Sequence, residues 1–265
     1  MNEPELRHYI EKEISDSGAS VSLLVYDYTY SKTIASCSTQ RRLVSASTIK
    51  TPIMMTAFDL VRQGKLSLKQ MVSVPKEEIL PDSEVFEFGP KQYSLEELIT
   101  WMIISSDNSA ANVTMSLLGL DTVNHYCASL GLEQTSLQRR MLDWDALKAG
   151  LNNYTSAGDQ FKLFTGLYQK TVLTPELCDL ALNILKRQRV HTLAMRYLCP
   201  GDASFAHKTG DLDFVRHDTG IFYLPGRDYY FGCFVTDAMD DTDENPTAAR
   251  LIGRISKAVY DFIRE

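Results

Sequence analysis

Ser47 and Lys50 stand three positions apart in the run Ser47-Thr48-Ile49-Lys50, at what reads as the start of a helix. Helical spacing stacks such a pair on one face and sets an amine beside a hydroxyl. A serine hydroxyl is a weak nucleophile until a neighbouring base takes its proton, and a lysine held neutral is such a base. Alone the pair is a weak signal, since most such pairs sit in solvent. Two further short stretches fall where chemistry could use them. Ser106-Asp107-Asn108 lies between two helical patterns and belongs in an interhelical turn, where Asp and Asn ordinarily bond local backbone. Lys208-Thr209-Gly210 lies where strand-like sequence returns, and its glycine would let a ligand approach the backbone closely. Each alone has a plain reading, as a solvated pair, a local turn or a strand end.

The elements that must position these residues follow from periodicity and caps. Pro4 with Leu6, Ile10 and Ile14 predicts a short amphipathic helix. The β-branched and aromatic run 21–29 and the segment 33–36, joined across Tyr30-Ser31-Lys32, predict a β-hairpin. The Ser47 helix comes next, with Pro52 early enough to be tolerated and Gly64 placed to end it. The serine therefore stands where sheet gives way to helix. Over about 51–200 the apolar spacing is helical. Ser94 and Glu97 form a capping box for a helix through Ile104, another helix runs over 109–118, and Thr174-Pro175 opens one carrying Leu177, Leu180, Ala181, Ile184 and Leu185. After His217, the segments 219–224 and 229–236 predict a second hairpin through Pro225-Gly226-Arg227-Asp228. Asn245-Pro246 caps a closing helix whose Leu251, Ile252, Ile255, Val259, Phe262 and Ile263 form one apolar stripe.

Composition narrows the partners. The 265 residues, 44% of them hydrophobic, suit one large domain or two closely shared lobes with a sizeable core. A formal charge of -7 argues against a nucleic-acid or anionic-membrane partner. No stretch approaches the roughly 18 apolar residues of a membrane span, and Met1 leads straight into the polar Asn2-Glu3-Pro4-Glu5 with no export signal. The chain as it stands reads as cytoplasmic, and as extracytoplasmic if a leader has been removed. Cys37, Cys127, Cys178, Cys199 and Cys233 are odd in number and scattered, which predicts buried free thiols rather than disulfides or a metal site.

Taken in order, a Ser-x-x-Lys at the first sheet-to-helix junction, a Ser-Asp-Asn in the helical stretch and a Lys-Thr-Gly at a late strand resemble the motif set of class A serine β-lactamases and related penicillin-recognising enzymes. The resemblance covers nearly the whole chain. It implies an α+β fold, an antiparallel sheet flanked by the N- and C-terminal helices plus an all-helical lobe. The expected arrangement is a single, monomeric catalytic domain over 1–265, with a sheet lobe at about 1–50 and 201–265 and a helical lobe at about 51–200.

The roles it implies attach to matching positions. Ser47 is acylated and Lys50 is its base, kept neutral by burial and by a second ammonium at Lys208. Ser106 relays a proton towards the leaving nitrogen, and Asn108 holds Lys50 and the substrate amide. The backbone N-H groups of Ser47 and Asp211 form the oxyanion hole, while Lys208 and Thr209, beside Gly210, bind a carboxylate. The implied substrate is a small β-lactam or a peptide-like molecule, and no metal or organic cofactor is needed. Three activities fit: β-lactam hydrolysis, peptidase or transpeptidase action on D-Ala-D-Ala ends or another amide or ester, and slow deacylation as a penicillin-binding sensor or scaffold.

The chain departs from that pattern in two places. Class A enzymes hydrolyse the acyl-enzyme with a loop glutamate, and here no glutamate occurs between Glu133 and Glu176. Asp143 and Asp145 are the candidate substitutes, although such residues more often cap helices or sit solvated in loops. Arg216-His217-Asp218 also invites a Ser-His-Asp reading, but neighbours on a strand face opposite ways and cannot form a relay to Ser47. A structural pair or a carboxylate-binding Arg216 is expected instead, and His207, His8 and His125 are read as bystanders.

Overall fold

The computed structural model describes residues 1–87 and 91–265. In chain order its elements are helix α1 (Glu3–Ser17), strands β1 (Ser20–Asp27), β2 (Lys32–Cys37) and β3 (Leu43–Val44), a 3-10 turn over Ala46–Ile49, and helix α2 (Lys50–Arg62). Strands β4 (Met71–Val74) and β5 (Lys91–Ser94) precede helices α3 (Leu95–Ile104), α4 (Asn108–Leu118), α5 (Leu120–Ser129) and α6 (Trp144–Lys148). Strand β6 (Tyr154–Thr155), helices α7 (Ala157–Tyr168) and α8 (Pro175–Lys186), strands β7 (Ser204–Leu212), β8 (Val215–Tyr223) and β9 (Tyr229–Thr236), and helix α9 (Thr247–Arg264) complete the chain.

Five strands form one antiparallel sheet in the order β2-β1-β9-β8-β7. The first hairpin joins the last strands through β1 and β9, in register from Ser20 opposite Thr236 to Asp27 opposite Tyr229. Successive side chains on a strand face opposite ways, so the sheet has two apolar faces to cover. Leu24, Ala206, Ile221 and Tyr230 pack with the helices between α2 and α8. Leu23, Val25, Phe222, Phe231 and Val235 pack on Leu6 and Ile10 of α1 and on the α9 stripe. Leu251, Ile252, Ile255, Val259 and Ile263 are all buried there, each contributing about 2 kcal/mol relative to exposure. Phe262 is only partly covered.

Local caps explain several boundaries. Asn2 and Glu5 form a reciprocal capping box with Pro4 in the first turn of α1, and Gly18 ends that helix at φ 65°. Ser94 and Glu97 do the same for α3, and the Thr174 side chain caps α8. The cap expected of Asn245 is absent: Pro246 precedes α9 without a side-chain bond, and Asn245 Oδ1 accepts from Arg250 instead.

Two strand readings are also corrected. β8 begins at Val215, because Arg216, His217 and Asp218 pair with both β7 and β9. Lys208-Thr209-Gly210 lies inside β7, four residues past its start, because Ser204 to His207 already pair with β8. All five cysteines are free, but Cys37 is half-buried and Cys199 exposed. Among the described residues, no helix is long and apolar enough to cross a membrane.

Candidate active site

Ser47 does not begin an α-helix. It sits in the 3-10 turn, and Lys50 is the first residue of α2. Ala46 is held at φ 44°, a left-handed conformation that costs a non-glycine residue about 1 kcal/mol or more and that points to a functional constraint. The turn is pinned by Thr48 Oγ1 donating to Ser45 O at 2.6 Å and by Ser45 N donating to Asn153 O at 2.9 Å. Lys50 Nζ then lies 3.2 Å from Ser47 Oγ, so the spacing read from the sequence places amine and hydroxyl together.

The other two motifs converge on the same amine. Asp107 caps α4 by accepting from Ala110 N, which sets Asn108 at the first position of that helix and Ser106 in the turn before it, at φ 56°. Lys50 Nζ donates to Ser106 O at 2.5 Å, Ser106 Oγ at 3.2 Å and Asn108 Oδ1 at 2.7 Å. From the sheet, Lys208 Nζ reaches Ser106 Oγ at 3.0 Å and Thr209 O at 2.8 Å. Ser106 Oγ thus lies between two lysines.

Gly210 also admits a close approach that no local sequence pattern announces. A Cβ there would lie 3.1 Å from both Ala46 Cβ and Ser45 O and 3.2 Å from Thr48 Cγ2. The backbone it admits is the chain's own Ser47 turn, packed against β7. That close approach sets Ser47 and Asp211 on the walls of the same cavities.

Both lysines are fully buried. Burial lowers Lys50 from the usual lysine range to about 7, while the carboxylates of Asp107 and Asp82 draw it back up. Lys208 is pushed well below its ordinary value, by burial first and by the Lys50 charge second. Desolvation, rather than repulsion from Lys208, is therefore the chief reason for a near-neutral Lys50.

Two cavities meet at Ser47. One, of about 410 Å³, runs past Ser106, Thr209 and Arg216 to Val190, Thr192 and Arg196. The other, of about 100 Å³, is roofed by the loop between α5 and β6, through Arg139, Met141, Leu142, Trp144, Asn152 and Asn153. That loop is closed at its neck by Ser136 and Tyr154, which exchange backbone bonds at 2.9 and 3.1 Å. Asn153 Oδ1 accepts from Gln138 N and Arg139 N, and Asn112 of α4 holds both backbone groups of Met141, at 2.8 and 3.1 Å. The residue clamped beside Ser47 is thus a buried methionine. Asp143 caps α6 by accepting from Ala146 N at 2.9 Å, and Asp145 is exposed beside Lys148. Neither lines either of these two cavities.

The remaining polar residues sort by burial and partner. His217 is buried between Arg216 O and Val44 O, and its burial lowers it to about 4. Asp218 pairs at 2.7 Å with buried His207 and accepts from Ala194 N, which anchors one wall of the larger cavity. Arg216 is engaged by Asp211 at 2.5 Å and Asp241 at 3.1 Å. His8 and His125 are exposed on α1 and α5. Sequence reasoning missed Met141, Asn112 and Asp82. Asp82 accepts from Asn108 Nδ2 at 2.5 Å, and nothing in Pro81-Asp82-Ser83 announces that contact.

A five-stranded antiparallel sheet between terminal helices and a helical mass, with a serine-lysine pair at their junction, defines the serine β-lactamase class of fold. Residues 5–263 match the family model described as the β-lactamase enzyme family, and the chain belongs to that family. Relatives include a β-lactamase of Bacteroides uniformis, 25% identical over 234 residues and covering 82% of this chain and 78% of its own. The extended-spectrum β-lactamase PER-1 of Pseudomonas aeruginosa is also 25% identical, covering 82% and 74%. Among solved structures, PBP-A superposes with a TM-score of 0.86 at 27% identity, covering 97% of this chain and 95% of its own. The TLA-3 extended-spectrum β-lactamase shares the fold over 100% of both chains, with a TM-score of 0.89 at 22% identity.

Proposed function

We propose that the chain is a serine acyl-transfer enzyme, acylated at Ser47 by β-lactams and by amide or ester groups of peptide-like substrates, which releases β-lactam acyl groups slowly. The observation that carries the slow step is Met141. The loop residues that line the smaller cavity beside Ser47, Met141 among them, bear no carboxylate to activate water, and Asp211, which lines it from β7, is engaged by Arg216. PBP-A, similar over nearly the whole chain, has a variant solved as an acyl-enzyme complex with penicillin G, which supports a common acylation chemistry.

Acylation uses the groups gathered at Lys50. Neutral Lys50 takes the Ser47 proton as Oγ attacks the carbonyl carbon, and the oxyanion is held by the backbone N-H groups of Ser47 and Asp211. The C-N bond breaks as Ser106 Oγ-H protonates the nitrogen, and the lysines flanking Ser106 resupply its proton. Asn108 orients the substrate amide, and Lys208 with Thr209 and Gly210 receives a carboxylate. No metal or organic cofactor enters any step.

The test is to offer a chromogenic cephalosporin and a D-alanyl-D-alanine-ended peptide or its thioester to the wild type and to Ser47→Ala. The expected result is acylation by both donors, lost in the variant. Acylation that survives Ser47→Ala would refute the assignment.

A further inference from the structure

Asp82 lies in the loop after β4 and belongs to no motif. Its Oδ2 accepts from Asn108 Nδ2 at 2.5 Å, while Asn108 Oδ1 accepts from Lys50 Nζ at 2.7 Å. One amide thus bridges an exposed carboxylate to the buried base. The backbone around Asp82 is pinned on both sides. Leu80 N donates to Ser109 Oγ at 2.8 Å, Ser83 Oγ donates to Asp107 Oδ2 at 2.6 Å, and Ser83 N donates to Leu80 O. The Asp82 side chain is exposed, so it can leave Asn108 by rotating into water without moving the loop.

We propose that Asp82 is a displaceable counter-ion of the Lys50 base, removed when an acyl donor's amide carbonyl takes the Asn108 Nδ2-H. This rests on Lys50 being the base of Ser47. Nδ2 carries two N-H groups, but a carbonyl oxygen and a carboxylate crowded onto one nitrogen repel each other, so substrate binding expels the exposed carboxylate into water. The charged groups facing Lys50 are Asp82 from this loop, Asp107 from the turn before α4 and Lys208 from β7. Ser47, Ser106 and Asn108 are its neutral partners. Asp107 is buried, held by Ser83 and the α4 N-terminus, and stays. Asp82 is the one of the two carboxylates free to go, and its departure leaves Lys50 a poorer holder of its proton. The free enzyme thus keeps its base damped, and substrate releases it. Asp82 acts through Asn108 and Lys50, as a positioning and charge-setting residue rather than one that touches the reacting atoms.

Stopped-flow acylation by a chromogenic cephalosporin across pH separates this from a fixed structural role, because k2/K reports groups in the free enzyme and k2 those in the complex. In Asp82→Asn the acid limb of k2/K moves down by about one pH unit relative to wild type. Acylation at sub-saturating drug one unit below the wild-type midpoint is then about fivefold faster. The k2 limbs of the two proteins coincide, since the carboxylate has already left in the wild-type complex. Asp82→Ala, checked for folding by thermal melting, shows the same pattern. Identical k2/K limbs in all three proteins, or limbs displaced equally in k2/K and k2, would overturn the proposal. Failure of the wild type to be acylated at all would instead overturn the assignment of Ser47 and Lys50.

Discussion

Replacing Met141 by glutamate tests whether the loop over Ser47 lacks only a carboxylate. The side chain at 141 is 8% exposed, its backbone is clamped by Asn112, and it shares a cavity of about 100 Å³ with Ser47 and Asn108. Glutamate matches methionine in length, so its carboxylate would take the methionine side chain's place in the lining of that cavity. A positioned general base contributes about 100- to 10,000-fold, equivalent to about 3 to 5 kcal/mol of barrier, and deacylation should accelerate by at least the lower figure. Burying the carboxylate should cost the fold about 1 to 3 kcal/mol, read from urea unfolding. Intact mass after a penicillin pulse follows loss of the adduct with time, and Met141→Gln controls for polarity without basicity. An acylated, folded Met141→Glu protein whose adduct persists as long as the wild type's would refute the reasoning.

Three further outcomes follow from the same geometry. Acylation should fall about tenfold for each pH unit below about 7 and level off above it, because burial holds Lys50 near 7 and only its neutral form is a base; k2/K against pH measures this. Gly210→Ala, whose Cβ would crowd the turn at Ala46, Ser45 and Thr48, should separate β7 from Ser47 and lower k2/K about tenfold or more, since it would part the Ser47 and Asp211 N-H groups proposed as oxyanion donors. Asp143→Ala should leave the adduct lifetime unchanged while costing about 1 kcal/mol of stability through the lost bond to Ala146 N, and a changed lifetime would return Asp143 to the mechanism.

The parts of the molecule legible in the sequence are those written in local chemistry. Pro4 at the head of α1, the capping box at Ser94, the Thr174-Pro175 start and the α9 stripe mark elements that the structure contains. The Ser47, Ser106 and Lys208 motifs could be named because their residue types are unusual together, and they meet around Lys50 Nζ and Ser106 Oγ. What stayed hidden depends on distant backbone. Asn112 and Met141 are 29 positions apart and join only when the loop folds back on α4. Asn108 and Asp82 are 26 apart, and Asp82 looks like any turn aspartate. Nor does any local pattern reveal that the Ser47 turn itself packs against Gly210.

The most direct test of the account is the lifetime of the Ser47 ester. The protein is mixed with a few equivalents of a penicillin, and intact mass and opened drug are followed in the same samples. The account predicts one equivalent opened rapidly, an adduct on the peptide containing Ser47 that outlasts the free drug, and no adduct in Ser47→Ala. Many equivalents opened per protein with no adduct accumulating would contradict it, because turnover at that rate requires a base that the loop carrying Met141 does not supply.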